Sequence, residues 1–339
     1  MDHTLRLALI GAGRMGRIHG LSAGSVTNLK ITWVCDLDSE AAQRLASELG
    51  AQYTDSVDQV LNRSDVDAVI ITTPTPTHAH LIELSAAAGK AIFVEKPITD
   101  TLDSARRATA AVHSAGVACQ VGFQRRFDPA FVTAKTRIDR GELGKLEGLR
   151  TVARDPQPPP LDFLKSSGGI MVDLAIHDLD AARYLVGEVA AVTCRGGALS
   201  DPELARHGLF DTAVALLEFD NGALGTLEAA LRTAYGYEAR TEVLGAKGRI
   251  HIEMPMRHNL VQYGERGGRV ELPQDFQERF DRALVNQLRA FADRVQAKLP
   301  VTPGPEDATK TLELALAAQQ ALESGERVGL DAYRATSSS

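Results

Sequence analysis

Residues 5–16, Leu-Arg-Leu-Ala-Leu-Ile-Gly-Ala-Gly-Arg-Met-Gly, decide the fold of the first part of this chain. The run from Leu5 to Ile10 is almost entirely apolar, as a strand buried on both faces of a parallel sheet requires. A loop with three glycines follows this strand directly. Gly11 permits a tight turn, Gly13 lets the backbone approach a pyrophosphate, and Gly16 lets the next helix pack closely on the strand. The start of that helix offers free N–H groups to phosphate oxygens.

An aspartate completes this pattern twenty residues further on. A second apolar run, Ile31 to Cys35, ends at Asp36, where a carboxylate accepts hydrogen bonds from both hydroxyls of an adenosine ribose. The sequence therefore predicts a dinucleotide site. Asp36 would repel a 2′-phosphate, and Leu37 and Asp38 supply no cation to neutralise one, which favours NAD over NADP. Arg14 in the loop could reach a phosphate, which moderates that preference.

Bulk composition sets the class of protein. The 339 residues suffice for two domains, and 44% hydrophobic with 24% charged residues is typical of a soluble globular chain. The net charge of −7 argues against nucleic acid or an anionic membrane as partner. No apolar run approaches the roughly 18 residues of a membrane span, and the N-terminus does not resemble a signal peptide. Three separated cysteines, Cys35, Cys119 and Cys194, indicate buried thiols in a reducing compartment, so we expect a cytoplasmic protein.

The first part of the chain alternates strands and helices. Beyond the first two strands, the pattern predicts a strand over 68–71, a helix over 79–88, a strand over 91–94, a helix over 101–115 capped by Thr101 and a strand over 117–121. Such a series is typical of a doubly wound parallel sheet whose ligands lie at the carboxyl ends of the strands. We expect residues 1–124 to form this Rossmann domain.

The pattern changes after residue 124. A helix over 129–140 and a strand over 145–153 precede a proline-rich connection, and five further strands are predicted over 189–194, 212–219, 223–230, 239–244 and 249–253. Asp220-Asn-Gly222 between two of them is a hairpin signal. Helices over 275–298 and 306–324 close the chain. We expect residues 125–334 to form an α+β domain with a large, mostly antiparallel open sheet, followed by a disordered tail over 335–339.

Two further segments carry candidate chemistry. Phe93-Val-Glu95-Lys96-Pro97 places a lysine at the carboxyl edge of the parallel sheet, although a surface lysine is the ordinary alternative. Residues 168–184 are predicted to form one helix on which Asp173, His177, Asp180 and Tyr184 share a stripe. Such a stripe faces either a polar cavity or solvent, and the helix alone does not decide between them. No third ligand at suitable spacing accompanies the pair, so we expect no metal site.

Four motifs in order resemble the Gfo/Idh/MocA oxidoreductases over nearly the whole chain. They are the glycine loop, the segment from Thr73 to His78, the Glu95-Lys96-Pro97 turn and the helix from Gly168 to Asp180. Within that family, the segments 122–128 and 154–169 are similar to the inositol 2-dehydrogenases. The resemblance implies NAD-dependent oxidation of a ring hydroxyl of myo- or scyllo-inositol to the ketone. The chain departs from the commonest inositol pattern near Ala175, where a threonine is frequent, which weakens the substrate assignment more than the reaction class.

The resemblance implies the site residues. His177 is expected to act as general base, since an unperturbed histidine pKa of roughly 6.5 suits that task. Asp173 would orient the imidazole, and Lys96 would stabilise negative charge developing on the reacting oxygen. Cofactor contacts are expected from Gly11, Gly13, Arg14, Met15, Asp36, Thr73, Pro74, Thr75, His78, Glu95, Lys96 and Gln124. Substrate contacts are expected from Arg126, Asp155, Lys165, His177, Asp180 and Tyr237.

Three alternatives remain open at this point. A pyranose sugar presents a ring of hydroxyls like that of an inositol. A glycosidase that uses NAD transiently would release sugar without accumulating NADH. A regulator that senses NAD would have no reason to keep Lys96, Asp173 and His177 together. The resemblance also suggests a homotetramer joined through the sheet of the second domain, whose open face needs covering.

Overall fold

The computed structural model describes residues 4–336, which divide into two compact units. The first unit comprises the chain up to Phe127 together with Arg282–Leu312, and the second comprises Asp128–Asp281 and the chain from Glu313 onward. The expected division differed in one respect, because it placed everything after residue 124 in the second domain. The apolar side of one late helix explains the difference: Leu288, Phe291 and Ala292 are buried in the core of the first unit.

The first unit is built on a six-stranded parallel sheet of order β3-β2-β1-β4-β5-β6. Its strands are β1 Leu5–Ile10, β2 Leu29–Cys35, β3 Gln52–Thr54, β4 Ala68–Ile71, β5 Ala91–Val94 and β6 Cys119–Val121. Its helices include α1 Arg14–Ala23, α2 Ser39–Leu49, α3 Val57–Leu61, α4 His78–Ala87 and α5 Leu102–Ala115. The predicted doubly wound parallel sheet is confirmed. In this order β1 and β4 are adjacent at the centre, where the strand order reverses and ligands bind.

Local sequence accounts for these boundaries. Strand β1 is buried along its length apart from the half-buried Arg6, as the apolar run from Leu7 to Ile10 requires. Helix α5 begins where predicted: Thr101 accepts a hydrogen bond from the Ser104 N–H, and the Ser104 side chain returns the contact in a capping box. It ends at Gly116, whose φ of 65° is in the left-handed region.

The second unit contains a seven-stranded mixed sheet of order β12-β11-β7-β10-β9-β8-β15, in which β7 and β10 are parallel and the other pairs antiparallel. Its strands are β7 Leu146–Arg154, β8 Val189–Gly197, β9 Thr212–Phe219, β10 Leu224–Ala230, β11 Glu238–Gly245, β12 Gly248–Ile252 and β15 Val328–Gly329. A separate hairpin pairs β13 Val261–Gly264 with β14 Gly267–Val270. The predicted open, mostly antiparallel sheet is confirmed, including the turn at Asp220-Asn-Gly222 between β9 and β10.

The helices of the second unit are mostly short. They are α6 Pro129–Asp139, α7 Leu161–Ser166, α8 Ile170–Asp173, α9 Ile176–Leu185, α10 Pro202–Ala205 and α13 Leu330–Thr336. Two long helices, α11 Phe276–Gln296 and α12 Pro305–Ser324, contribute residues to both units. The disordered tail was predicted over residues 335–339, but Ala335 and Thr336 belong to α13, and residues 337–339 lie outside the described range.

One predicted helix is two helices. Residues 168–184 were expected to be continuous, but Gly168 and Gly169 have φ of 82° and 89°, and the helix begins only at Ile170. A turn at Leu174–Ala175 then separates α8 from α9, with the Ala175 N–H bonded to the Ile170 carbonyl five residues back. The assumed 3.6-residue register between Asp173 and His177 is therefore interrupted. Over residues 4–336, we find no helix that is long and apolar enough to span a membrane.

Candidate active site

The glycine loop between β1 and α1 meets three separate demands. Gly11 has φ of 106°, and a Cβ there would lie 2.8 Å from the backbone of Thr72. A Cβ on Gly16 would lie 1.9 Å from the Gly11 carbonyl oxygen. Gly13 differs from both, because nothing lies within 4 Å of the position its Cβ would take. Gly11 and Gly16 therefore serve the fold, whereas the space beside Gly13 is open to a ligand.

The N-terminus of α1 is prepared for an anion. Gly13 is its N-cap residue and supplies no side chain to accept from the first N–H groups, and the first turn carries no acidic residue. Arg14 is exposed and Met15 half-buried at this end. A pyrophosphate would supply the missing acceptor, since free N–H groups and the positive end of the helix dipole both favour negative charge. The residues present thus fit the diphosphate of NAD.

Asp36 stands beside this loop at the end of β2. Its Oδ2 accepts a hydrogen bond from the Ala12 N–H at 2.6 Å, and its Oδ1 accepts one from the Asp38 N–H at 2.9 Å. The carboxylate is half-buried. It therefore faces the glycine turn, as a ribose-binding carboxylate must, and it also holds that turn in shape.

We expect Gly13 and Gly16 to respond differently to replacement by alanine. Gly13→Ala should leave the midpoint of thermal unfolding nearly unchanged, because φ is −73° and the space is open, yet it should abolish tight NADH binding. Gly16→Ala should destabilise the fold by at least about 1–3 kcal/mol, since its methyl group meets backbone. Calorimetric unfolding and NADH fluorescence titration measure the two effects. If Gly13→Ala lowered the midpoint of thermal unfolding as well as the affinity for NADH, this assignment would be contradicted.

The segment after β4 lies against the glycine loop. The Thr72 hydroxyl donates to the Gly11 carbonyl oxygen at 2.9 Å, and Thr73 shares a hydroxyl contact of 2.7 Å with Thr77. Pro74 is exposed, and Thr75 begins a short 3₁₀ helix, Thr75–Thr77. Thr73, Pro74 and Thr75 therefore stand at the edge of the sheet where the cofactor was expected.

His78 is engaged by the backbone of two neighbouring segments. Its ring is buried, with Nδ1 2.9 Å from the Pro97 carbonyl oxygen and Nε2 2.9 Å from that of Thr73. Burial lowers its pKa, against the opposing effect of these two carbonyls. Both ring nitrogens face backbone, so neither is left for a cofactor. His78 therefore ties the 73–77 segment to the Lys96-Pro97 turn.

The Glu95-Lys96 turn ends β5 at the same edge. Lys96 is half-buried, whereas Glu95 is only 8% exposed. The Glu95 carboxylate contacts His19 and the Lys96 N–H, so it is engaged by the protein rather than offered to a cofactor. Burial raises the pKa of Glu95, but the hydrogen bond and charge from His19 outweigh it and hold the pKa below its ordinary value. Gln124, expected beside the cofactor, is also buried, in the 3₁₀ helix that follows β6.

In the second unit, the four polar residues of the predicted stripe on α8 and α9 differ in burial. Asp173, His177 and Tyr184 are half-buried, while Asp180 is fully buried. Asp180 would therefore meet a substrate only if the side chains around it moved.

A neighbouring aspartate was missed. Asp178 is fully buried and accepts a hydrogen bond from the Thr151 hydroxyl of β7, which lies 3.2 Å from the Thr241 hydroxyl of β11. This contact anchors α9 to the sheet beside His177. The signal available in the sequence was Thr151, the polar member of the alternating buried set Leu149, Thr151 and Ala153 on β7.

The other expected substrate-binding residues differ in how deeply they are buried and in the residues they contact. Asp155 is half-buried directly after β7, and Lys165 is exposed in α7. Tyr237 is 4% exposed, with its ring 6.3 Å from that of Phe280. Arg126 forms an ion pair with Asp307 at the start of α12, which ties it to the fold of the first unit and counts against a substrate role.

A charged network next to Asp155 was also missed. Arg154 donates to Glu238 at 2.9 Å, to Glu228 at 2.6 Å and to the Tyr235 hydroxyl at 2.9 Å. Burial raises the pKa of Glu238, yet Tyr235 and the Arg154 charge hold it below its ordinary value. These residues come together only through strand pairing between β7, β10 and β11, so their spacing along the chain carried no signal.

The fold and the glycine loop define an NAD-dependent oxidoreductase. A family model described as an oxidoreductase family with an NAD-binding Rossmann fold matches residues 5–123, and a GFO/IDH/MocA C-terminal domain matches residues 131–251. The chain belongs to the Gfo/Idh/MocA family. The predictions of that family and of NAD as cofactor are confirmed.

Characterised relatives match from end to end. The chain is 41% identical over 339 residues to the scyllo-inositol 2-dehydrogenase (NAD(+)) of Bacillus subtilis, covering 99% of each protein. The crystal structure of a myo-inositol dehydrogenase from Corynebacterium glutamicum superposes with a TM-score of 0.92 at 33% identity, covering 96% of this chain and 99% of that one. A scyllo-inositol dehydrogenase from Lactobacillus casei, solved with NAD(H) and scyllo-inositol, gives 0.91 at 29% identity, with coverage of 97% and 99%.

The carboxylate of Asp36 should set the cofactor preference. Asp36→Asn keeps an oxygen for the Ala12 N–H but removes the charge, so the loop should persist while NAD affinity falls by about tenfold. The preference for NAD over NADP should narrow, because the repulsion of a 2′-phosphate is lost. Titration with NADH and NADPH measures both. The matched control is Asp103→Asn, an exposed aspartate in α5. An unchanged ratio of the two affinities would contradict the assignment.

Proposed function

We propose that this protein oxidises one ring hydroxyl of a cyclic polyol, myo- or scyllo-inositol, to the corresponding inosose. The observation that carries the proposal is the end-to-end match, at 41% identity, to an NAD(+)-dependent scyllo-inositol 2-dehydrogenase. The family resemblance supports it too. The resemblance assigns cofactor binding to the glycine loop with Asp36, and catalytic roles to Lys96 and to Asp173 with His177.

The proposed chemistry divides between two side chains. Oxidation of a secondary alcohol removes a proton from oxygen and a hydride from carbon. Lys96, as an ammonium, donates a hydrogen bond to the reacting oxygen and stabilises the negative charge that develops on it. His177 accepts the hydroxyl proton as general base, and Asp173 orients and stabilises the resulting imidazolium. Bound NAD supplies the nicotinamide ring that accepts the hydride.

We propose that Asp155 and Lys165 help to bind the remaining hydroxyls. Asp155 is half-buried at the end of a strand, and a carboxylate accepts hydrogen bonds from vicinal hydroxyls. Lys165 is exposed and donates only. Asp180 and Tyr237 are buried, so their participation requires movement, and Arg126 is held by Asp307.

The direct test is NADH formation at 340 nm with purified protein, NAD and a panel of inositols and hexoses, with NADP in parallel. We expect turnover of myo- or scyllo-inositol with NAD. Turnover of a hexose alone would keep the reaction class but move the substrate to a pyranose. Release of sugar from a glycoside without net NADH would support the glycosidase alternative, and silence throughout would contradict a dehydrogenase of this substrate class.

We also propose a homotetramer joined through the open face of the second sheet. Val214, Leu216, Leu224 and Leu244 are between 43% and 56% exposed, and the strand register places them on one face. Exposed apolar side chains gathered on one face of an open sheet are typical of an interface. Native mass spectrometry should give four times the 36.4 kDa chain mass. A monomer would contradict the proposal, and Leu216→Glu should dissociate the assembly.

A cytoplasmic location completes the proposal. Cys35, Cys119 and Cys194 are free and buried, as in proteins of reducing compartments. Burial raises their pKa values to about 11 for Cys35 and about 12 for the other two, so all three thiols are protonated and unreactive at neutral pH.

A further inference from the structure

A buried histidine of the first unit contacts the residue directly before Lys96. His19 in α1 is completely buried, and its Nε2 lies 2.6 Å from Oε1 of Glu95 at the end of β5. The Glu95 pKa is below its ordinary value, so Glu95 is a carboxylate and only accepts hydrogen bonds. The His19 Nε2–H therefore donates a hydrogen bond to Oε1 of Glu95.

The second oxygen of the same carboxylate holds the backbone of Lys96. Oε2 of Glu95 accepts from the Lys96 N–H at 3.0 Å. The carboxylate also packs close to Gly122, where a side chain would collide with it, since a Cβ there would lie only 2.9 Å from Oε1. Glu95 thus links His19 to Lys96, and its orientation has little freedom.

Stability alone does not account for this arrangement. Burying an imidazole and a carboxylate is costly, and apolar residues of similar size are often as stable. The cost is increased at His19, whose Nδ1 is buried without a hydrogen-bond partner among residues 4–336. The ring also packs edge-on against Phe93, with 5.2 Å between centroids, so its plane is set by the core. The polar pair is built next to Lys96, where a defined backbone position matters.

We propose that His19 is a positioning residue for Lys96 and acts through Glu95. It fixes the carboxylate, the carboxylate fixes the Lys96 N–H, and the lysine side chain starts from a defined point. This inference rests on the proposed role of Lys96 in oxidation. His78 contacts the carbonyl oxygen of the following residue, Pro97, so a second buried histidine also contacts this turn.

The test compares His19→Leu, which cannot donate, with His19→Gln, whose amide N–H takes the place of Nε2–H. The control is His80→Leu, an exposed histidine of α4. We expect His19→Leu to lower kcat for inositol about 10- to 100-fold with NADH affinity changed less than about threefold. A larger primary deuterium isotope effect on kcat with C-deuterated inositol is also expected, because hydride transfer becomes slower. His19→Gln should recover most of kcat.

Hydrogen–deuterium exchange supplies a readout that needs no turnover. In the apoprotein, the Lys96 amide should exchange faster in His19→Leu than in wild type, and His19→Gln should restore its protection. A Lys96 amide that exchanges as in wild type, or an unchanged kcat in His19→Leu, would overturn the proposal. If His19→Leu does not fold, Glu95→Gln tests the same link by the same two measurements. Failure of wild type to oxidise inositol would count against the proposed function, while the exchange result would still decide the role of His19.

Discussion

Replacing Lys96 with methionine is expected to lower kcat for inositol oxidation by about 10²–10³, the loss that follows removal of one preorganised donor to a developing oxyanion. Methionine retains the length and flexibility of the side chain and removes only the charge and the donors. Lys96 is half-buried, where an ammonium interacts more strongly with a nearby negative charge than it would in water. NADH affinity should change little, because the glycine loop and Asp36 are untouched.

The matched control for this variant is Lys30→Met, the same change at an exposed lysine of β2. Steady-state kinetics with saturating NAD measure kcat, and fluorescence titration measures NADH affinity. A Lys96→Met enzyme with wild-type kcat would remove Lys96 from the mechanism. A variant that loses NADH affinity in proportion to kcat would show instead that Lys96 acts mainly on the cofactor.

Replacing His177 with glutamine is expected to lower kcat/KM by about 10²–10⁴, the usual contribution of a positioned general base. Glutamine preserves much of the side-chain volume but does not accept a proton. In the variant, solvent hydroxide must take the hydroxyl proton, so kcat/KM should keep rising with pH. The wild-type profile should level off once the imidazole is neutral.

The control for His177→Gln is His258→Gln, an exposed histidine of the same unit that pairs with Glu271. Asp173→Asn should show a smaller loss in the same direction, because it keeps the shape of the orienting group and removes its charge. A His177→Gln enzyme with the wild-type pH profile would contradict the role of general base, whatever the size of its kcat.

Much of the fold could be predicted from local features of the sequence. Five of the six strands of the parallel sheet could be predicted from short, mostly apolar runs, such as β1, which ends at Gly11. Strand β3, Gln52–Thr54, could not, because two of its three residues are polar. The hairpin between β9 and β10 could be predicted from Asp220-Asn-Gly222. The break in the helix predicted over 168–184 could not be predicted, because the turn falls at Leu174 and Ala175, two residues that favour helix.

The sequence by itself determined the class of the protein and its cofactor, because a glycine loop and its aspartate act over twenty-five residues of local chain. Only the tertiary structure decided which polar side chains are engaged in contacts that hold the fold together. His19 meets Glu95 across 76 residues, and Arg126 meets Asp307 across 181. Spacing along the chain carries no record of such contacts, because they form only when strands and helices pack, and it is packing that sets the burial of each group and therefore its chemistry.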